Sequence, residues 1–409
     1  MYRMRIKKII LNIRDKITRR SFHVLIILLI SFLIIYTSNN MAAPIYGDER
    51  IYIEAGMKYI NGIPPLYYNY EHPPLAKYLI GLSTIIGDPH LISIICYILS
   101  LLCFYSIILE VNGNSVIALL ATLLPMTDTI FINVHRHALL DPIALCLMLW
   151  AIYFTLKYIG VQQLKYGVMA SIMWGLSLAS KMNTLYVFTP WFIFITYLSL
   201  RKNNIKSCIL FILLIILTYL LTYMQDIIYG GVYASVYHHI KMIKYMMLRH
   251  EPTLPLIING LATLQFKLSI WNYCSPITIV LSKGTIKDII GLENAKIIGK
   301  YIVLRLGAGS PIWYILIPLL VYKTTRIISS RNSQDMRNYM LTLCAWGALM
   351  SLIHGDVDWY YIMPVTLLYI ILALNMKIRY LLLCILTALV NYILLIFGII
   401  PFRISILIK

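Results

Sequence analysis

The chain has very little charge for its length. Of its 409 residues only 12% are Asp, Glu, Lys or Arg, whereas 60% are hydrophobic, and the mean hydropathy is +0.79. A soluble protein of this size needs far more charge to cover its surface. The composition therefore excludes an ordinary soluble protein and indicates a chain that crosses a membrane repeatedly.

Acidic residues are scarcer than basic ones, with 16 Asp and Glu against 35 Lys and Arg and a net charge of +19. The basic residues are spread between apolar runs instead of forming one stripe with interleaved aromatic residues, which argues against a nucleic-acid partner. Most of the 7 cysteines lie inside apolar runs and predict no disulfide framework. A glycine-rich phosphate loop, the mark of many nucleotide-binding enzymes, is absent.

Charge-poor runs recur along the whole chain. A helix needs roughly 20 apolar residues to cross the hydrocarbon core of a bilayer. On that rule the sequence predicts an all-α fold of one integral membrane domain, residues 1–409, with about eleven membrane-spanning helices. From the charges and prolines, we place the spans at roughly 22–38, 90–109, 113–128, 139–157, 165–180, 183–200, 207–225, 308–322, 338–354, 359–376 and 380–400.

Basic residues predict the orientation of the chain. A dense cluster of Arg and Lys precedes the first span, so we expect a cytoplasmic amino terminus and an uncleaved first helix rather than a signal peptide. Counted from there, the short loops at alternate turns are also basic, which agrees with the same orientation. The protein is expected in the cell membrane, with its acidic and histidine-containing motifs on the external face.

Two external segments are too long to be simple turns. The first, roughly 39–89, contains Asp48 and Glu49, followed by an apolar and polar mixture spaced like a helix lying along the membrane interface and ended by Asn61 and Gly62. The second, roughly 226–307, is rich in tyrosine, which commonly anchors chains at headgroup depth.

Four positions near the predicted external face have residue types suited to chemistry. The neighbouring carboxylates of Asp48 and Glu49 would raise the pKa of at least one of them and make it a general base; the alternative is a solvated acidic pair. His72 precedes two prolines at the start of a helix. These prolines either only mark the helix start or also direct the imidazole of His72 away from the helix. Arg136 lies in apolar surroundings, where arginine normally pairs with an anion.

Two further residues have simpler explanations as well. Asp141 precedes Pro142 and is expected to cap a helix at its first turn. Lys181 lies where an external turn should emerge, and it either contacts an anion or extends its side chain to the interface.

These motifs together resemble those of the protein O-mannosyltransferases, polytopic enzymes of the GT-C glycosyltransferase class. The chain resembles a compact prokaryotic form of this family, and its composition would suit an archaeon. Asp48 and Glu49 are similar to the family's external acid pair. The run His72-Pro73-Pro74-Leu75 with Lys77 is similar to its His-Pro-Pro-Leu-Gly-Lys, and Asp128 through Pro142 to its Asp-to-Arg-x-x-Leu-Leu-Asp-Pro stretch.

Weaker similarities follow later in the chain. They lie at Ser180-Lys181, at His250-Glu251-Pro252, around Trp271 and at Trp359-Tyr360-Tyr361. One departure is that the family often has an arginine before the second span, where this chain has Pro89 and His90, so one contact to phosphate or sugar stays unassigned.

The resemblance implies transfer of a mannosyl or related hexosyl group from a polyprenyl or dolichyl phosphate to Ser or Thr hydroxyls of exported polypeptides, with inversion at C1. It implies that Asp48 and Glu49 are catalytic and that the donor phosphate and sugar are bound by later residues: His72, Lys77, Arg136, Asp141 and Lys181. It also implies acceptor or loop contacts by His250, Trp271, Tyr360 and Tyr361. In this interpretation Asp141 also braces Arg136.

Other interpretations remain open. A transferase of the same class with a glycolipid acceptor would share the acid, although its counterpart of His72 is typically lysine. A transporter would use the charges as a substrate path, but they cluster at one face. No cofactor is certain and a divalent cation is left open, because no cluster has convincing ligand spacing. Membrane lipid is the only other expected partner, and the oligomeric state is open.

Overall fold

A computed structural model describes residues 2–38, 47–249, 274–280, 301–307, 310, 312–329, 336–351, 362–397 and 403–408. Helices dominate these residues. They are α1 Tyr2–Thr37, α2 Gly47–Ile60, α3 Leu75–Ile86, α4 Leu91–Asn112, α5 Ser115–Thr127, α6 Thr129–His135, α7 Leu140–Val161, α8 Leu164–Ser180, α9 Leu185–Arg201, α10 Ile205–Leu221, α11 Met224–Arg249, α12 Trp313–Ser329, α13 Met336–Met350, α14 Ile362–Asn375 and α15 Ile378–Ile396, with short 3₁₀ turns at Pro65–Tyr67 and Met182–Thr184.

Three short strands form a small antiparallel sheet, in the order β1-β2-β3. They are β1 Cys274–Val280, β2 Tyr301–Gly307 and β3 Arg403–Ile408. The helical fold is as predicted, but this sheet was not expected from the sequence. Its strands are only 7, 7 and 6 residues long and show no signal that separates them from other short apolar runs.

The helices make the chain a multi-pass membrane protein. Among the described residues, three helices, Arg20–Thr37 within α1, α4 and α7, are long and apolar enough to span a bilayer, and the total there is up to 5 if each of two bent helix pairs is one span. All eleven predicted spans contain or overlap a helix, but several of those helices are short, so length and apolarity do not confirm the predicted number. Large apolar side chains such as Phe32 (71% exposed) and Leu213 (58% exposed) face outward, as expected for contact with lipid.

A buried core lies between the helices. Helix α7 packs against α4 and α8, α8 packs against α10, and α13 packs against α9. Helix α14 is buried along nearly its whole length, because its sequence is apolar on every side.

Asp128 ties the break between α5 and α6, where the two helices meet at 69°, to later helices. One carboxylate oxygen accepts the backbone N–H groups of Ile130 and Phe131, both at 3.0 Å. The other accepts Trp313 Nε1 at 3.0 Å and the Tyr369 hydroxyl at 2.7 Å. A buried carboxylate needs such partners, so Asp128 holds the bend in place.

The segment after α1 contains the predicted helix and the predicted helix end. Helix α2 begins beside Asp48 and ends before Asn61 and Gly62, where Gly62 has a φ of 90°, a conformation that suits glycine. Helix α3 begins directly after Pro74. The two helices cross at Gly56 and Gly81, where their backbones touch.

We expect Gly56→Ala to force α2 and α3 apart. A Cβ atom at residue 56 would lie 2.4 Å from the Lys77 carbonyl oxygen and 2.6 Å from Gly81 N, and backbone atoms cannot move aside cheaply. Overpacking typically costs about 1–3 kcal/mol, so thermal unfolding in detergent should show a lowered Tm. Gly47→Ala on the same helix is the control, because nothing lies within 4 Å of a Cβ there. An equal Tm for the two variants would contradict this packing.

Candidate active site

Glu49, in the first turn of α2, is a buried carboxylate with three hydrogen-bond partners. Its Oε1 accepts Ala138 N at 2.9 Å and lies 2.8 Å from His90 Nε2, and its Oε2 lies 2.9 Å from His137 Nδ1. Burial opposes ionisation, but the contacts with His137, His90 and Ala138 outweigh it and lower the pKa of Glu49 to about 2. Glu49 therefore joins α2 to the start of α4 and to the segment before α7.

From the sequence, we expected one acid of the pair to have a raised pKa and to act as a base. For Glu49 the shift has the opposite direction, because every partner favours the ionised carboxylate. Asp48, by contrast, is half-buried. The two neighbouring acids thus have different surroundings: Glu49 is buried and holds segments together, while Asp48 is partly open to solvent.

Asp141 forms a buried ion pair with Lys181. The Lys181 ammonium donates to both carboxylate oxygens, at 2.8 and 2.7 Å, and both side chains are only 2% exposed. The expectation that Asp141 caps its helix is wrong, since α7 begins at Leu140 and has no side-chain cap. Its partner is Lys181, where the sequence had suggested Arg136.

Arg136 ends α6 and is half-buried. Its Nη1 donates to the Ser38 carbonyl at the end of α1. Arg136 lies directly before His137, which brings it to the same segment as the Glu49 contacts.

Lys77 is in the first turn of α3, and its side chain extends into the loop that carries His72. Its buried ammonium donates to the His72 carbonyl at 2.9 Å, to the Asn69 carbonyl and to the Tyr59 hydroxyl at 3.4 Å, and burial lowers its pKa to about 7. The His72 ring meets Tyr52 edge-on with centroids 6.1 Å apart. Lys77 thus fixes the shape of this loop, and a contact between Lys77 and the donor stays a prediction.

Asp226 and His238 form a second buried pair, which the sequence analysis did not single out. Asp226 Oδ2 lies 2.6 Å from His238 Nδ1, and Oδ1 accepts Leu66 N at 3.0 Å. His238 Nε2 lies 3.3 Å from the Tyr70 carbonyl. Both residues are on α11, so the pair docks α11 onto the His72 loop. The sequence signal that could have indicated this pair is an acidic residue shortly after the apolar helix α10.

Other roles missed in the sequence are those of His90 and His137, which contact Glu49. All four predicted acceptor or loop residues, His250, Trp271, Tyr360 and Tyr361, lie outside the described residues. Within the described part of the chain, no group of three or more His, Cys, Asp or Glu side chains is arranged to hold a metal ion.

Comparison with solved structures identifies the class of fold. The chain matches ArnT from Cupriavidus metallidurans, in a crystal structure with bound undecaprenyl phosphate, with a TM-score of 0.57 and 10% identity; the match covers 87% of this chain and 61% of that chain. This chain therefore spans less than two thirds of the ArnT chain. At this identity the similarity concerns the fold alone, and it confirms the predicted GT-C type of helical membrane fold.

Comparison with protein families then gives a more specific result. The family model described as dolichyl-phosphate-mannose-protein mannosyltransferase matches residues 71–224. This segment runs from the His72 loop through Arg136, Asp141 and Lys181. The resemblance noted in the sequence is confirmed over this part of the chain. No curated protein matches the chain.

The buried pair of Asp141 and Lys181 gives a test of the site's structure. Lys181→Met leaves the Asp141 charge buried without its partner, which typically costs about 3–5 kcal/mol. We expect a strongly lowered Tm in detergent, and recovery of most of it when Asp141→Asn is added. Lys58→Met, which removes the partner of Glu54 in the solvent-exposed pair on α2, is the control and should change little. Equal effects of Lys181→Met and Lys58→Met would show that the buried pair is absent.

Proposed function

We propose that this protein is a glycosyltransferase that moves a mannosyl or related hexosyl group from a polyprenyl phosphate to Ser or Thr hydroxyls of exported polypeptides. The observation that carries the proposal is the contact of Glu49 with His137 and Ala138 N, which brings the first turn of α2, including Asp48, to the segment between Arg136 and the buried pair of Asp141 and Lys181. It links an acid after the first predicted span to groups from two later helices. A base next to cationic groups is what the transfer of a phosphate-linked sugar requires.

The similar proteins support the donor class. The family model names a dolichyl-phosphate-linked sugar, and the ArnT structure contains undecaprenyl phosphate. A lipid-linked donor suits a chain whose polar groups gather at the ends of apolar helices, and it needs no glycine-rich nucleotide loop. The protein acceptor is the finer part of the proposal and rests on the match to the protein mannosyltransferase family.

In the proposed reaction, Asp48 takes the proton of the acceptor hydroxyl. The hydroxyl oxygen forms a bond to C1 of the sugar, while the bond between C1 and the phosphate oxygen breaks on the opposite face. The polyprenyl phosphate leaves with the bonding electron pair, and the configuration at C1 is inverted. No covalent bond between sugar and protein forms at any stage.

Glu49 has a supporting place in this proposal. Its carboxylate is occupied by His90, His137 and Ala138 N, and its low pKa makes it a poor proton acceptor. Asp48 is therefore assigned as the base, and Glu49 positions the turn of α2 that carries it. Arg136, Lys181 and His72 are assigned to the phosphate, where preorganised charge typically contributes roughly 3–4 kcal/mol per contact. Lys77 shapes the His72 loop.

The assay uses membranes, radiolabelled polyprenyl-phosphate mannose and a peptide containing Ser and Thr. Label in the peptide supports the proposal, label in glycolipid alone would move it to a glycolipid acceptor, and label in neither would overturn the mannosyl transfer. Treatment with a chelator tests whether a divalent cation takes part.

Asp48→Asn should abolish transfer in this assay. The substitution removes the base while keeping the size of the side chain, and positioned proton transfer typically contributes about 10² to 10⁴ in rate. Glu54→Gln is the control, because Glu54 lies on the same helix in a solvent-exposed pair with Lys58. Protein amount in the membrane should be equal for both variants. Transfer by Asp48→Asn at the level of Glu54→Gln would contradict the assignment of the base.

A further inference from the structure

His90, directly before α4, contacts two carboxylates at once. Its Nδ1 lies 2.8 Å from Asp88 Oδ1 and its Nε2 lies 2.8 Å from Glu49 Oε1. An ionised carboxylate only accepts hydrogen bonds, so both ring nitrogens need a proton for both contacts to be favourable. A neutral imidazole has one N–H, and its other nitrogen would turn a lone pair towards a carboxylate oxygen. The geometry therefore requires a cationic His90.

This contact continues into the protein through Glu49. The Asp88 and His90 side chains are 53% and 38% exposed, whereas Glu49 is 1% exposed. On the inner side Glu49 meets His137 Nδ1 at 2.9 Å and Ala138 N at 2.9 Å. A row of alternating carboxylates and imidazoles thus runs from the surface to the segment beside Arg136.

We infer that His90 is a titratable clamp on the first turn of α2: its cationic form holds Glu49 and thereby positions Asp48, and loss of its proton releases this turn and lowers transfer. The effect on sugar transfer rests on the proposed function, whereas the clamp itself rests on the contacts of His90 and Glu49 alone. His90 is a positioning residue, since it acts through Glu49 and not on the substrate.

The charges around His90 give the direction of the pH dependence. The contact with Glu49 raises the pKa of His90 above 6.5 despite partial burial, and Asp88 adds to the rise. A raised folded-state pKa means that the stabilisation is complete below the ordinary value and is lost as pH rises through the raised one. Glu49 sets the acidic limit, because its contribution is complete above 4.5 and is lost only as pH falls towards about 2. His137 faces Glu49 from the segment before α7.

Two substitutions separate the charge of His90 from its shape. His90→Arg keeps a permanent cation with donors for both carboxylates, and His90→Gln keeps hydrogen bonding without charge. His23→Gln is the control, since His23 contacts Tyr105 far along the sequence from the clamp. For each protein, Tm in detergent and sugar transfer are measured from about pH 5.5 to 8.5, the range in which histidine titrates.

If His90 acts as this clamp, the Tm and the transfer rate of the wild type should both fall with rising pH. The transfer rate should fall about tenfold per pH unit beyond the pKa of His90. His90→Arg should keep both values at high pH, His90→Gln should be low throughout, and His23→Gln should follow the wild type. The same decline in His90→Arg as in the wild type would overturn the inference.

A direct measurement covers the case in which a substitution disturbs folding. Nitrogen NMR of ¹⁵N-histidine-labelled wild type should show an imidazolium at His90 at neutral pH, and a neutral ring would overturn the clamp. If His90 titrates as expected but no sugar is transferred at any pH, the proposed function fails and the clamp stands. If sugar is transferred without any dependence on His90, the clamp fails and the function stands.

Discussion

The central constraint in this protein is that a charge removed from water must be paired. Glu49 shows the effect most clearly: it is 1% exposed, and its carboxylate is held by His90, His137 and the Ala138 N–H. These contacts join α2, the start of α4 and the segment before α7. They also bring the turn that carries Asp48, one residue earlier, to the segment before α7. If Glu49 were unpaired, the first turn of α2 would lose these contacts with α4 and with that segment.

The same constraint organises the rest of the described helices. Asp141 and Lys181 connect α7 to the end of α8, Asp128 connects the bend after α5 to α12 and α14, and Asp226 with His238 connects α11 to the His72 loop. Apolar packing alone says little about the register of such helices, because leucine and isoleucine side chains are interchangeable at small cost. Each buried polar contact has one geometry, which makes these few residues specific.

The sequence predicted the helical membrane class, the helix that begins beside Asp48 and the helix start after Pro74, because apolar runs, carboxylates at a helix start and prolines are local signals. It did not predict the sheet of short strands or the partners of the charged residues. Asp141 was expected to cap a helix, and its real partner, Lys181, is 40 residues away. His90 was noted only as a departure from the family pattern. Such pairings depend on which helices meet, which no local pattern encodes.

We propose that Asp48, Arg136 and Lys181 surround one site for a lipid-linked phosphate. A structure with a bound polyprenyl-phosphate sugar is the most direct test. We expect the phosphate within hydrogen-bonding distance of Arg136 and C1 of the sugar on the side of Asp48. A phosphate bound at the other end of the helices, beside Glu110, Lys157 and Arg337, would contradict it.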